Sequence, residues 1–137
     1  TEFVTSIYGP LVLDIDVRMG AVYNSDRLFT NDLIRLGGIN SLRGFNDLEL
    51  YVSSYGLARF ELRLRMDESS RIFLFYDQAI TRNAVLDIDD NPLGIGAGLY
   101  LRTNGGDLQL VYALGLSQQQ SLSLSQSKIH IGYVANF

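Results

Sequence analysis

Apolar residues recur at every second position through most of this chain, and a period of two predicts strands rather than helices. A short segment at 2–8 ends at Gly9-Pro10, a tight-turn pair. From Leu11 the alternation is unbroken: Leu11, Leu13, Ile15, Val17, Met19, Ala21 and Tyr23 fall on one face, Val12, Asp14, Asp16, Arg18, Gly20 and Val22 on the other. A segment ending near Met66 sets Gly56, Ala58, Phe60, Leu62 and Leu64 against Arg59, Glu61, Arg63 and Arg65. Arg71 to about Ile80 sets Ile72, Leu74 and Tyr76 against Phe73, Phe75 and Asp77. Three more strands follow. Leu93, Ile95, Ala97, Leu99 and Leu101 alternate with Gly94, Gly96 and Gly98, and Asn104-Gly105-Gly106 then signals a hairpin into Leu108–Leu116. The last segment, about 128–137, carries Ile129, Ile131, Tyr133, Ala135 and Phe137 on one face.

The two faces differ sharply. The apolar face of the six clear strands contains no Asp, Glu, Lys or Arg, while the other collects Asp14, Asp16, Arg18, Arg59, Glu61, Arg63, Arg65, Asp77 and Arg102. A soluble sandwich also has one apolar and one polar face per sheet. Three features favour a membrane barrel instead. The segments reach about ten residues, the length of a tilted transmembrane strand. Short links (9–10, 67–70, 104–106) alternate with long ones (24–50, 81–92, 117–127), as in barrels with terse turns on one side and long loops on the other. And an amphipathic strand ends on an aromatic residue, Phe137.

Composition narrows the chemistry. The 137 residues suit one domain. With no cysteine there is no disulfide scaffold and no thiol chemistry, and a single histidine makes a dedicated zinc site improbable. A net charge of −4 without a basic stripe argues against nucleic acid as a partner. No run of apolar residues is long enough for a transmembrane helix, and no signal peptide is expected. His130 has no acid at a predictable distance and reads as a lining residue rather than a base. Asp87, Asp89 and Asp90 lack the spacing of a calcium loop. No catalytic constellation, metal site or cofactor is expected.

One stretch belongs to neither face: Leu36-Gly37-Gly38-Ile39-Asn40-Ser41-Leu42-Arg43-Gly44-Phe45. Its glycines allow it to fold back tightly, and its tip presents a guanidinium beside a ring. It is either a polar hairpin loop with an incidental arginine or a loop that delivers a cation to a partner.

These residues carry a family resemblance over nearly all of 11–137. The chain resembles the C-terminal half of the barrel of outer-membrane assembly factors of the BamA/TamA type and of two-partner-secretion transporters, the bacterial surface antigen superfamily. Gly37-Gly38 with Ser41-Leu42-Arg43-Gly44-Phe45 is similar to the family's signature loop, with Leu42 where valine is common. Phe75-Tyr76-Asp77-Gln78-Ala79 is similar to its aromatic-x-Asp-x-Gly strand motif, with Ala79 in place of glycine. Ile131-Gly132-Tyr133-Val134-Ala135-Asn136-Phe137 resembles its C-terminal insertion signal.

The resemblance implies an all-β fold, an antiparallel transmembrane barrel of which this chain supplies about seven strands out of sixteen. It implies a loop over about 24–50 that enters the lumen, with Asp77 as the partner of Arg43, Glu61 as runner-up, and Phe73 and Phe75 flanking Phe45. It also implies an outer membrane of the Gram-negative type, contact with its lipid, client β-barrel or secreted polypeptides, and accessory lipoproteins. The expected activity is insertion of barrel proteins. Polypeptide transport, or passive anchoring of an attached enzyme or partner, are the alternatives. Because seven strands cannot close such a barrel and the chain starts at Thr1, a piece of a longer protein is expected, a complete small barrel being the other case.

Overall fold

The structure is a computed structural model that describes residues 1–24 and 26–135. These form ten strands: β1 (Glu2–Tyr8), β2 (Leu11–Ala21), β3 (Ile34–Leu36), β4 (Leu50–Val52), β5 (Ser54–Arg65), β6 (Ser70–Asn83), β7 (Ile88–Asp90), β8 (Leu93–Thr103), β9 (Gly106–Leu116) and β10 (Lys128–Ala135). The last two residues of the terminal signal, Asn136 and Phe137, lie outside the described residues.

Seven of the strands make one antiparallel sheet in the order β1-β2-β5-β6-β8-β9-β10. Each step is antiparallel, so after six steps the two edge strands, β1 and β10, run in the same direction. Among the described residues the two edges do not pair with each other.

The tight links have local causes. Gly9 takes a φ of +53° between β1 and β2. The Asp67 carboxylate accepts from the Ser69 backbone N–H at 2.6 Å and closes the turn before β6. In the hairpin between β8 and β9, the Thr103 hydroxyl both donates to the Gly106 carbonyl and accepts from its N–H.

Two links hold more structure than their polarity predicts. β6 runs on past Ile80 to Asn83 and pairs with β7, bringing Arg82 onto Asp87 and Asp89 at 2.9 Å. Asn83 Oδ1 accepts from the N–H groups of Val85 and Leu86. Polar residues close this hairpin, so hydrophobic periodicity gives no sign of it. In the long link after β2, β3 pairs with β4 at its far end, which reaches beyond residue 50, and a single 3-10 turn covers Thr30–Asp32.

Burial along the sheet is the reverse of what a water-soluble sheet shows. On the apolar face Met19 is 81% exposed, Leu74 58% and Ile131 70%, whereas Asp14, Glu61 and Asp77 on the other face are buried. What lies against that polar face is the tip of the link after β2, residues 36–45. Arg43 and Gly44 alone touch or abut β5, β6, β8, β9 and β10. Laid flat, five strands would span about 19 Å. Side chains perpendicular to a flat sheet of that width would not converge on two adjacent residues, so the sheet is concave toward the loop.

Two apolar clusters lie on the concave side. One joins Leu42 and Phe45 of the loop to Leu57 and Ala79; the other joins Phe73 and Phe75 to Val111 and Ala113. The rings of the second cluster have room because β8 offers glycines beneath them: a Cβ at Gly96 would lie 2.0 Å from the Tyr112 carbonyl oxygen of β9 and 2.8 Å from the Phe75 ring, and one at Gly98 would overlap the Phe73 ring. Gly56, on the convex face of β5, meets nothing within 4 Å. Gly96→Val should therefore destabilise the refolded full-length protein by about 1–3 kcal/mol through overpacking. Gly56→Val should leave stability unchanged or raise it by up to about 1 kcal/mol, since glycine is costly in a strand. Denaturant midpoints of the two variants in detergent are the test, and equal midpoints would refute this account of the β8 glycines.

Candidate functional site

The loop tip is shaped by its own backbone. Ser41 Oγ accepts from the Gly37 N–H at 2.8 Å and donates to the Gly37 carbonyl at 2.9 Å, while the Gly38 N–H donates to the Leu42 carbonyl. Gly44 has a φ of +96°, and a Cβ there would sit 2.7 Å from the Leu114 carbonyl oxygen of β9. No other residue type fits that position.

Arg43 follows from this turn into complete burial, at 0% exposure. Its Nε donates to Asp77 Oδ2 at 2.7 Å and its Nη2 to Asp77 Oδ1 at 2.5 Å, a two-pronged pairing, and its own backbone N–H adds a third bond to Oδ2 at 3.1 Å. Its Nη1 donates to Glu61. The guanidinium carbon lies 3.9 Å from the Phe75 ring centroid and 6.0 Å from that of Phe73. Burial by itself would lower the guanidinium pKa, but the hydrogen bonds and charge of Asp77, with Glu61, outweigh it and raise the pKa, so the group stays cationic.

Strand register explains why two carboxylates wait there. Asp77 on β6 stands directly opposite Arg59 on β5, and Glu61 on β5 directly opposite Asp14 on β2. Facing carboxylates repel. Arg63, two residues along the same face from Glu61, relieves this by donating from Nε to Glu61 Oε2 at 2.7 Å and pairing through Nη2 with Asp14. Arg59 Nε lies 3.8 Å from Asp77 Oδ1, and its Nη2 donates to the Ile39 carbonyl of the loop at 3.2 Å. Three arginines thus face three carboxylates across β2, β5, β6 and the loop.

Of the loop motif, Gly37, Gly38, Ser41, Leu42, Arg43, Gly44 and Phe45 form one continuous tip, and Phe75, Asp77 and Glu61 all lie against Arg43. Phe45 is placed differently from expectation. It packs with Leu42, Leu57 and Ala79, while Phe73 and Phe75 flank the guanidinium. A cation has more to gain from an aromatic face than a ring does, and the Ala79 methyl gives Phe45 an apolar seat of its own. In the terminal signal, Ile131 and Tyr133 point outward and are exposed, and Gly132 turns inward beneath Ile39. Phe137 is outside the described residues.

Several contributors carried little or no sequence signal. The Gly44 carbonyl accepts from Gln120 Nε2 at 3.0 Å, and its N–H donates to His130 Nε2 at 3.4 Å. Nothing marks Gln120 out within a Gln/Ser tract. A Cβ at Gly94 would run into the Arg43 carbonyl, and the run of alternate glycines at 94, 96 and 98 is the signal that could have found this seat. Arg59-x-Glu61-x-Arg63, with signs alternating on one face, is the corresponding signal for the charge cluster.

No protein-family model and no curated protein matches this chain. Among the described residues no three His, Asp or Glu side chains are grouped as metal ligands would be. What the geometry does show is a buried cation that fastens a long loop to the wall of the sheet.

Removing one partner strands the others. Arg43→Ala leaves buried Asp77 with only Arg59 at 3.8 Å and Glu61 with only Arg63, and should weaken loop docking by about 3 kcal/mol, the low end for a broken buried pair. Limited proteolysis of the loop in the full-length protein, over Arg43→Ala, Asp77→Ala and the double variant, should give a combined effect well below the sum of the two. Arg43→Lys should rescue poorly, because an ammonium lacks the planar fork. Additive single effects would overturn the pairing as the fastening.

Proposed function

We propose that this chain is the C-terminal part of a transmembrane β-barrel of a Gram-negative-type outer membrane, and that the barrel assembles other β-barrel proteins into that membrane. The observation that carries the membrane reading is the inverted burial. Soluble monomers rarely expose contiguous apolar patches beyond a few hundred Å², yet here the convex face of every long strand is apolar, and large apolar side chains stand exposed along β2, β5, β6, β9 and β10, from Val17 and Met19 on β2 to Ile129 and Ile131 on β10. Lipid is the solvent that such a face suits. The concave face, with its charges and the inserted loop, is then the lumen.

Assembly is favoured over transport by the way the lumen is filled. A polypeptide crossing it would have to displace the loop, and Asp77 and Glu61 on Arg43, Arg59 and Arg18 on the Ile39 and Asn40 carbonyls, and two apolar clusters hold that loop down. The work of an assembly factor falls instead at a sheet edge. β10 has its outer backbone edge free of any described strand, and an incoming strand pairs with such an edge by backbone hydrogen bonds. The inward Gly132 offers that strand little steric resistance. Client barrel polypeptides, outer-membrane lipid and accessory lipoproteins are the partners this reading names, with no cofactor. Asp77 and Glu61 serve the loop, and the 131–137 signal serves the barrel's own insertion.

Two measurements test the reading. Cysteine at Asp89, on the long-link side, should react on intact cells with a membrane-impermeant reagent, and cysteine at Gly105, on the short-link side, should not; the reverse labelling would invert the topology. Depleting the protein should lower the outer-membrane levels of several unrelated barrel proteins together. Loss of a single secreted protein would assign transport instead, and unchanged levels would leave only an anchor.

A further inference from the structure

The loop tip is held differently on its two sides. Toward β5 and β6 the hold is ionic, Arg43 on Asp77 and Glu61, and carboxylates and guanidinium keep their charges across the neutral pH range. Toward β9 and β10 the hold passes through a group that titrates in that range. Gly44 is buried, and its N–H has one acceptor among the described residues, Nε2 of His130 on β10, at 3.4 Å. Nε2 accepts only when the imidazole is neutral with its proton on Nδ1, because an imidazolium carries N–H at both positions. His130 faces the concave side and is partly exposed, so protons reach it.

Gly44 has no room to retreat from a second N–H. Its carbonyl is held by Gln120 Nε2 at 3.0 Å. Its α-carbon abuts β9 so closely that a Cβ would lie 2.7 Å from the Leu114 oxygen and 2.8 Å from the Gly115 nitrogen. The residue before it, Arg43, is fixed by three bonds to Asp77. The charges around the ring do not favour a cation either. Arg43 of the loop and Lys128 of β10 are positive, and Asp47 of the loop, the one carboxylate acting on the ring, is exposed and screened by water. On β9 Val111 stands opposite His130, and the 117–127 link carries no charged residue.

We infer that His130 is a pH-sensitive latch on the loop: neutral, it accepts the Gly44 N–H and keeps the tip seated on β9 and β10; protonated, it leaves that buried N–H without an acceptor, sets a second cation near Arg43, and loosens the seat. Protonation releases this side only, since the Arg43–Asp77 pairing does not depend on it. In the undocked loop the imidazole meets water and titrates near its ordinary value of about 6.5. Docking is therefore complete above that pH and weakens as pH falls below it, by at most about tenfold per pH unit. The inference goes beyond the assembly reading and uses none of it.

Limited proteolysis of the loop in the full-length protein in its native membrane, at about pH 7.5 and about pH 5.5, spans the imidazole range. His130→Gln and His130→Asn are non-titrating references, and either serves alone. Dividing the wild-type cleavage rate by the reference rate at each pH removes the protease's own pH dependence and any contribution from Asp77 or Glu61. That ratio should rise several-fold, up to about tenfold, at the lower pH. His130→Lys, a fixed cation, should be cleaved several-fold faster than wild type at about pH 7.5 and should show no further rise against the references. A ratio that stays constant or falls at the lower pH would overturn the latch. So would His130→Lys cleaved like wild type at the higher pH.

Discussion

An arginine with no access to solvent cannot remain where it is unless its charge is met on every side, and the concave face is organised by that requirement. Asp77 and Glu61 come from different strands and stand two residues out of step, so a single guanidinium reaches both only if β5 and β6 keep their register. A slip of one residue in either strand would turn that strand's carboxylate to the convex face, away from the guanidinium. The ion pairs therefore specify register as much as they hold the loop. Arg63 does the same between β2 and β5, where without it Asp14 and Glu61 would push the strands apart.

Most of the sheet was legible in the sequence because its physical cause is local. An apolar residue on the convex face and its charged or small neighbour on the concave face differ in a way that needs no partner to be seen, and each long strand from β2 to β10 shows it. The seat of the loop was legible only in part. Arg43 is marked by the glycines around it, and Asp77 by the aromatic residues before it on an inward face. Arg59 and Arg63 show as charges but not as partners, because pairing depends on which strands become neighbours. Gln120 was not legible at all: its role comes from one backbone carbonyl, that of Gly44, arriving from 76 residues away. The β6–β7 extension was missed for a related reason. It is closed by Arg82, Asn83, Asp87 and Asp89, whose polarity is also that of a solvated link.

The exchange of Phe45 for a cation between Phe73 and Phe75 shows how composition at one position redirects packing at another. A glycine at 79 would leave a bare backbone beneath the loop. Ala79 is fully buried, and its methyl joins Leu42 and Leu57 around the Phe45 ring. The aromatic pair on β6 is then available to the guanidinium, with the outer ends of its rings over glycines of β8 that leave them room.

The common direction of β1 and β10 carries a constraint of parity. A ring in which every neighbour is antiparallel contains an even number of strands. This sheet presents seven, with its two edges pointing the same way, so they cannot be joined to each other without one parallel pair. In the barrel proposed above, whatever closes the ring antiparallel throughout has to bring an odd number of strands. Two copies of this chain in the same membrane orientation fail the condition at both junctions, because each places a β1 beside a β10. Closure by a dissimilar segment and closure by self-association are thereby separated by counting alone.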